Sequence, residues 1–224
     1  MTSNIFITNP NLLYTAGRPE MMKYIPMTVR KVLDVGCSIG LFGSQIKNER
    51  NAEVWGIERN KIAAAQALQK IDKVIVGDVV DQLNKLPDNY FDCIVFNDIL
   101  EHLSDPYTII YNAKSKLKEC GVVVCSIPNI RFIPNLRDLV LRKQWKYVDS
   151  GILDRTHLRF FTIKSIPELF TAAGYEIIQI EGIMPIKGFK FKIFNVLTLG
   201  FFRDTKFPQF ACVVLPKRET KLYN

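Results

Sequence analysis

Only two histidines and two tryptophans occur in the 224 residues, the five cysteines form no C-x-x-C pair, and no apolar run is long enough to cross a bilayer. Without C-x-x-C spacing there is no signature of a zinc or dithiol redox centre. Cys37, Cys93, Cys120, Cys125 and Cys212 are scattered and odd in number, which fits a reduced cytosol. The longest late apolar stretch, Ile193 to Phe202, is too short for a membrane span. The opening MTSNIFITNPNLLY has no basic segment followed by a long apolar one, so no secretory signal is expected. Neither internal repeats nor low-complexity linkers occur, and the length suits a single domain over residues 1–224.

What is present is ordinary globular composition, 48% hydrophobic and 23% charged, with a net charge of +8. Up to residue 128 acidic and basic residues balance, so the whole excess lies in residues 129–224. A basic C-terminal part suggests a phosphate-bearing substrate or a membrane surface as partner. A merely solvated basic face is the alternative.

Short runs rich in β-branched residues at Val32–Val35, Val54–Ile57, Val74–Val76, Cys93–Phe96 and Val122–Cys125 read as buried parallel strands. Helical patterns lie between them at Leu41–Lys47, Lys61–Lys70 and Pro106–Leu117, the last opened by Asp105 as N-cap. Residues 127–162 break the rhythm as a Pro-, Arg- and aromatic-rich insertion. Order returns with a helix from Ser165, where Ser165 and Glu168 have capping-box spacing, to about Ala173, ended by Gly174. Strands Tyr175–Ile180 and Phe210–Leu215 follow, separated by the basic-aromatic stretch Lys187–Lys206. The expected fold is α/β: a Rossmann-like, doubly wound, mostly parallel seven-stranded sheet with a helical and aromatic insertion after strand 5. Its expected parts are an N-terminal helical cap (1–30), a cofactor-binding core (31–126), a substrate lid (127–162) and a C-terminal portion (163–224).

In KVLDVGCSIG, Asp34 lies near the end of the first strand, and Gly36 and Gly40 lie in the turn entering the first helix, where glycine lets backbone approach a ligand. Cys37 and Ser38 interrupt the G-x-G-x-x-G spacing that seats a pyrophosphate, which argues against a dinucleotide oxidoreductase. Glu58, ending the second strand, can accept from both hydroxyls of a ribose, and Asp78 after the third suits an adenine. Acidic strand ends in series suit a nucleoside without phosphates.

These residues resemble the class I methyltransferase superfamily over nearly the whole chain. The resemblance implies S-adenosylmethionine as cofactor and S-adenosylhomocysteine as product. It implies a methionine-end site at Asp34, Gly36, Cys37 and Gly40, a ribose site at Glu58 beside Arg59, an adenine site at Asp78 and Val79, and a floor at Asn97. Relatives often carry glycine where this chain has Ser38.

Both histidines sit in charged motifs beyond strand ends. In NDILEHLSDP, Asp98 and Glu101 are one helical turn apart, so their carboxylates can share a face beside His102. In GILDRTHLRFF, Asp154 and His157 have the same offset, flanked by Arg155 and Arg159. Methyl transfer is an in-line displacement in which alignment contributes roughly 7 to 11 kcal/mol, and a hydroxyl acceptor needs a base or a metal. Histidine can be that base; alternatively, Asp98, Glu101 and His102 can hold a divalent ion that acidifies the hydroxyl. A structural hydrogen-bonding role for the histidines is the third reading. The Asp-x-x-Glu-His string resembles the metal-binding Glu-x-x-Glu-His string of ubiquinone-pathway and small-RNA 2'-O-methyltransferases. SIPNIR and GILDRTHLRFFT resemble methyltransferases of bacterial surface-polysaccharide synthesis, which implies a sugar hydroxyl on a nucleotide-linked or lipid-linked glycan.

In the insertion, Trp145 and Tyr147 can stack on a sugar while Arg131, Arg137, Arg142 and Lys143 meet a phosphate. Arg155 and Arg159 are further candidates for an anionic substrate. IKGFKFKIFNVLTLGFF is amphipathic at its start and apolar at its end, so it can rest on a membrane, at the inner face for a cytoplasmic protein, or pack on the domain. No RNA-binding module is recognisable, so nucleic acid is not the expected partner. A small-molecule quinone-type acceptor and a non-catalytic cofactor-binding scaffold complete the alternatives.

Overall fold

Strand residues alternate between two buried faces in the computed structural model, which describes residues 17–217. Val32, Cys93 and Val95 enter one apolar cluster, while Leu33, Ile94 and Phe96 enter the other. Burial on both faces is why these strands read as continuous apolar runs rather than as alternating ones. The strands are β1 (Lys31–Val35), β2 (Glu53–Glu58), β3 (Lys73–Val76), β4 (Phe91–Asn97), β5 (Leu117–Pro128), β6 (Tyr175–Ile183) and β7 (Gln209–Pro216). They form a seven-stranded sheet in the order β3-β2-β1-β4-β5-β7-β6. β1 to β5 pair in parallel, whereas β7 runs antiparallel to both β5 and β6. The order reverses between β1 and β4, and the chain leaves these two strands in opposite directions. This opens a crevice at their carboxyl ends.

Helices α1 (Leu41–Arg50), α2 (Lys61–Ala67), α3 (Val79–Gln82) and α4 (Pro106–Lys116) cover the faces, followed by α5 (Ile133–Leu141), α6 (Ser165–Ala172) and α7 (Phe189–Leu197). Asp105 caps α4 by accepting from the Thr108 N–H at 3.1 Å, as its position before Pro106 implies. The cap of α6 is not the expected pair of Ser165 and Glu168. Thr162 Oγ1 accepts from the Ser165 N–H at 3.1 Å, and Ser165 Oγ accepts from the Thr162 N–H at 2.9 Å. The reciprocal box sits one turn earlier because the chain already bends at Thr162, whose carbonyl accepts from the Ile166 N–H. Gly174, at φ +78°, ends that helix. Of the expected N-terminal cap, residues 1–16 lie outside the described ones. Within the remainder, Pro19–Tyr24 is a 3-10 helix that buries Met21, Met22 and Tyr24.

Two excursions leave the sheet at its carboxyl edge. The first, after β5, carries α5, which buries none of its residues, and returns through a bridge between Asn129 and Phe161. The second joins β6 to β7 and carries α7. Asn129, fully buried, ties them together. Its amide donates to the carbonyls of Asp204 at 3.1 Å and Phe207 at 2.9 Å, and its Oδ1 accepts from the Arg131 N–H at 3.0 Å. An Asn129→Leu substitution leaves these groups without partners in the interior. We expect it to lower the unfolding free energy by about 2 to 4 kcal/mol, as read by urea denaturation.

Candidate active site

The turn after β1 is shaped by sterics before any ligand is considered. Gly36 and Gly40 take φ of +73° and +77°. A Cβ on Gly36 would collide with the Ile99 side chain, and one on Gly40 would lie 2.9 Å from Ala67 Cα. Ser38 also adopts positive φ, +51°, a conformation that glycine takes at no cost. A glycine at this position would relieve that strain. Cys37 contributes backbone only: its thiol is buried, and its Sγ is packed where a side chain on Gly56 would go.

Glu58 clamps this turn to the next one. Its Oε2 accepts from the Ser38 N–H at 3.0 Å and its Oε1 from the Asn60 N–H at 2.7 Å. Each oxygen keeps a lone pair for a further donor. Asp34, beneath the turn, receives a hydrogen bond from the Gly43 N–H. Burial, with Glu58 nearby, pushes its carboxyl up to about 7. Asp78 is exposed and caps α3 through the Val80 N–H at 3.0 Å, with Val79 buried beside it. Arg59 is exposed, and its charge adds a minor lowering to the basicity of His102.

Across the crevice, both polar atoms of the Asn97 side chain are buried without a hydrogen-bond partner, as is Ser38 Oγ. A buried amide left unpaired costs about 1 to 3 kcal/mol. A polar ligand lying between the turns and β4 would relieve that cost. Narrow glycine turns, a carboxylate with spare lone pairs and an orphaned amide together fit a nucleoside cofactor.

The expected face shared by Asp98, Glu101 and His102 does not form. Asp98 takes φ +54° and so breaks the turn that the spacing assumes; only Leu100–His102 is helical, as a 3-10 segment. The Asp98 carboxylate points instead to Arg18, and accepts from Ser126 Oγ at 3.0 Å and Gln209 Nε2 at 2.9 Å. Arg18 also donates to Gln209 Oε1 at 2.9 Å, which closes a network over the ends of β4, β5 and β7.

His157 takes the vacated position. The backbone carbonyl of Glu101 accepts from the N–H groups of Leu158 and Arg159 at 2.8 and 3.0 Å, drawing the insertion onto the 3-10 segment. Glu101, His102 and His157 then offer ligand atoms within 4.8 Å of one another, and the two imidazoles meet edge to face at 4.6 Å. The tautomers follow from the partners. His157 Nδ1 lies 2.9 Å from the Ile152 carbonyl, which can only accept, so Nδ1 carries the proton. His102 Nδ1 faces the carbonyl of Thr156 at 3.3 Å and its Oγ1 at 3.1 Å; Oγ1 already donates to Asp154 Oδ1 at 2.6 Å, so it accepts here too. Both Nε2 lone pairs remain open. Asp154 therefore positions His102 through Thr156 rather than pairing with His157. No feature of the local sequence singled out Thr156 or Arg18.

Burial lowers the basicity of both histidines, with His157 adding to the effect on His102. Glu101 is buried with neither oxygen bonded, and desolvation raises its carboxyl to about 8. His157 Nε2, at 4.0 Å, is beyond hydrogen-bond reach. An anionic carboxylate and two open imidazole nitrogens also fit a divalent cation, with Thr156 and the Ile152 carbonyl orienting the rings.

The lid guanidiniums do not converge on a common anion site. Arg131 pairs with Asp204 at 2.7 Å, Arg155 with Asp149 at 2.7 Å, and Arg137 and Arg142 both with Asp138. Arg159 donates to the Ser104 carbonyl. Neighbouring carboxylates and carbonyls claim the charges that the sequence leaves unassigned. Trp145, edge-on to Phe160 at 5.4 Å, and Tyr147 stay partly open.

Residues 12–180 match the family described as "Methyltransferase domain". A ubiquinone biosynthesis O-methyltransferase of Idiomarina loihiensis is 31% identical over 170 residues, covering 71% of this chain and 68% of that protein. The corresponding protein of Histophilus somni is 31% identical over 128 residues, and there the match spans 53% of the relative's length. A SAM-dependent methyltransferase structure from Archaeoglobus fulgidus shares the fold, with a TM-score of 0.66 at 21% identity over 91% of this chain and 93% of that one.

The raised carboxyl has a consequence for stability. Glu101 ionises near 4.5 when unfolded and near 8 when folded, so the folded chain holds a proton that the unfolded chain releases. That contribution is whole below pH 4.5 and is lost as pH rises to about 8. The histidines act oppositely, losing their contribution as pH falls below 6.5. In metal-free buffer, Glu101→Gln should remove only the first trend. We expect the variant to gain on the parent by roughly 3 kcal/mol between pH 5 and pH 8, as measured by denaturation at each pH.

Proposed function

We propose that this chain, which belongs to the class I S-adenosylmethionine-dependent methyltransferase family, transfers a methyl group to an acidic hydroxyl of a small-molecule acceptor, with His102 taking the hydroxyl proton. The observation that carries the proposal is the cluster of Glu101, His102 and His157, whose ligand atoms lie within 4.8 Å of one another just beyond the carboxyl end of β4.

The cofactor supplies an electrophilic methyl group on a sulfonium centre. The chain's part is to align and to deprotonate. With the cofactor bound, Glu58 and Asn97 would hold its nucleoside, and the turns of Gly36 and Gly40 would let the backbone approach it. His102 is the more open of the two imidazoles and is neutral at pH 7 because burial depresses its basicity. Its Nε2 would accept the hydroxyl proton as the acceptor oxygen bonds the methyl carbon and the carbon–sulfur bond breaks, releasing S-adenosylhomocysteine, while Thr156, itself held by Asp154, keeps the Nδ1–H in place. A base weakened below 6.5 suits a phenol, whose proton leaves near pH 10, better than the far less acidic alcohol of a sugar. This favours a quinone-type or catechol-type acceptor, in keeping with the pathway that names the relatives. If the three residues hold a divalent ion, that ion lowers the hydroxyl pKa, and the same side chains serve as its ligands.

A sugar hydroxyl on a glycan is the second reading, and the part-exposed rings of Trp145 and Tyr147 at the same edge favour it. Polysaccharide synthesis rests on that reading. All five cysteines are free thiols, in keeping with a reducing cytoplasm. Among the described residues no helix is long and apolar enough to cross a membrane.

Binding, acceptor and kinetic measurements test the proposal. Calorimetry should detect adenosylmethionine binding, and Glu58→Ala should weaken it by about 10- to 100-fold through loss of charge-assisted hydrogen bonds; unchanged affinity removes the assigned site. An acceptor panel of catechols, polyprenyl phenols and nucleotide sugars, read by adenosylhomocysteine formation, separates the two acceptor classes. With the acceptor found, His102→Ala should lower kcat by about 10²- to 10⁴-fold while cofactor affinity holds. The parent's kcat/KM should fall with pH below 6.5 as the base protonates. Abolition of activity by a chelator, with rescue by Mg²⁺ or Mn²⁺, selects the metal route; full activity in His102→Ala defeats both.

A further inference from the structure

The excursion between β6 and β7 leaves the sheet at the edge that carries the candidate site. Ile183 pairs with Gln209, and Gln209 pairs with Pro128 at the carboxyl end of β5. Residues 184–203 include Lys187, Lys190, Lys192 and Arg203, and no Asp or Glu. Their apolar side chains are turned to solvent: Leu199 is 97% exposed, and Phe189, Val196, Leu197 and Phe201 are each 70% or more. The segment is nonetheless built. Phe202 packs against Phe194 and Phe201 at 5.1 Å each, and the Gly200 N–H closes the turn after α7 on the Asn195 carbonyl at 2.8 Å. Arg131 pairs with Asp204 and lies 5.7 Å from the Phe201 ring, while Asn129 fastens the base. An ordered scaffold thus holds an apolar tip in water, which soluble surfaces avoid unless the patch binds something.

A second apolar projection leaves the same edge. The end of α5 exposes Leu139, Val140 and Leu141, beside Arg142, Lys143 and Lys146. We infer that this edge docks on an anionic membrane surface, with α7 lying in the interface, the Leu199 and Phe201 turn entering the acyl boundary, and the lysines meeting lipid headgroups. Charge complementarity selects the occupant: the segment bearing the tip is basic throughout and carries no acid to repel an anionic bilayer. α7, Phe189–Leu197, is too short to cross a bilayer and suits an in-plane helix. Docking by this edge turns the crevice toward the lipid. On the methyl-transfer reading above, the acceptor is then an amphipathic molecule whose hydroxyl is presented from the bilayer; the docking itself does not depend on that reading.

The test is co-sedimentation of the full chain with vesicles of phosphatidylcholine alone and of phosphatidylcholine mixed with phosphatidylglycerol. Pelleting is expected with the anionic vesicles and should weaken as salt rises. A Leu199→Glu, Phe201→Glu double variant and a Lys187→Gln, Lys192→Gln double variant should each reduce partitioning by about tenfold or more. Circular dichroism and adenosylmethionine calorimetry check that the variants fold and keep the cofactor site. Failure of the parent to pellet overturns the inference, as does equal pelleting by both variants. A lipid-free dimer that Leu199→Glu dissociates, seen by sedimentation velocity, also overturns it by assigning the face to a second copy. Pelleting without methyl transfer to any acceptor would remove the catalytic reading and leave the docking intact.

Discussion

Reversal of strand order between β1 and β4 is the constraint on which the rest of the structure depends. Parallel strands must send their connections across one face or the other. Where neighbouring strands send them opposite ways, the carboxyl ends of both stand uncovered. The turns after β1 and β2 line one wall of the resulting crevice, and Asn97 with its orphaned amide lines the other. Glu58 belongs to that geometry as much as to the chemistry, since its carboxylate fastens the two turns together before any ligand arrives.

The candidate reaction residues depend on the same edge, but the insertion completes the cluster. Glu101 and His102 reach it through the short segment after β4, and His157 arrives when the insertion hydrogen-bonds to the Glu101 carbonyl. Packing three ionisable groups together under partial burial has a uniform electrostatic result: every group shifts toward its neutral form. Glu101 rises and both histidines fall. A buried carboxyl left without a partner costs stability, and groups shifted in this way are found at structural clusters as well as at functional sites.

The antiparallel β7, wedged between β5 and β6, adds a second consequence. Its approach from β6 must turn at the carboxyl edge, so the basic-aromatic segment with α7 projects beside the crevice rather than at the far end of the sheet. The glycine turns, the Glu101, His102 and His157 cluster and the exposed apolar tip thereby share one edge through strand order.

Much of this architecture was legible in the chain itself. The seven strands and the crossover helices announce themselves through β-branched runs and caps such as Asp105, because burial and capping leave local marks. The placement of Asp34, Gly36, Glu58 and Asp78 was equally plain, since each lies within two residues of the end of a strand. The partnership of Glu101 with His157, the withdrawal of Asp98 to Arg18, the pairing of the lid arginines and the true cap at Thr162 were decided only in three dimensions. Spacing along a sequence encodes neighbours only while the backbone keeps a regular period. One residue in positive φ at Asp98, and a return of the chain more than fifty positions later, reassign the partners in ways that no period records.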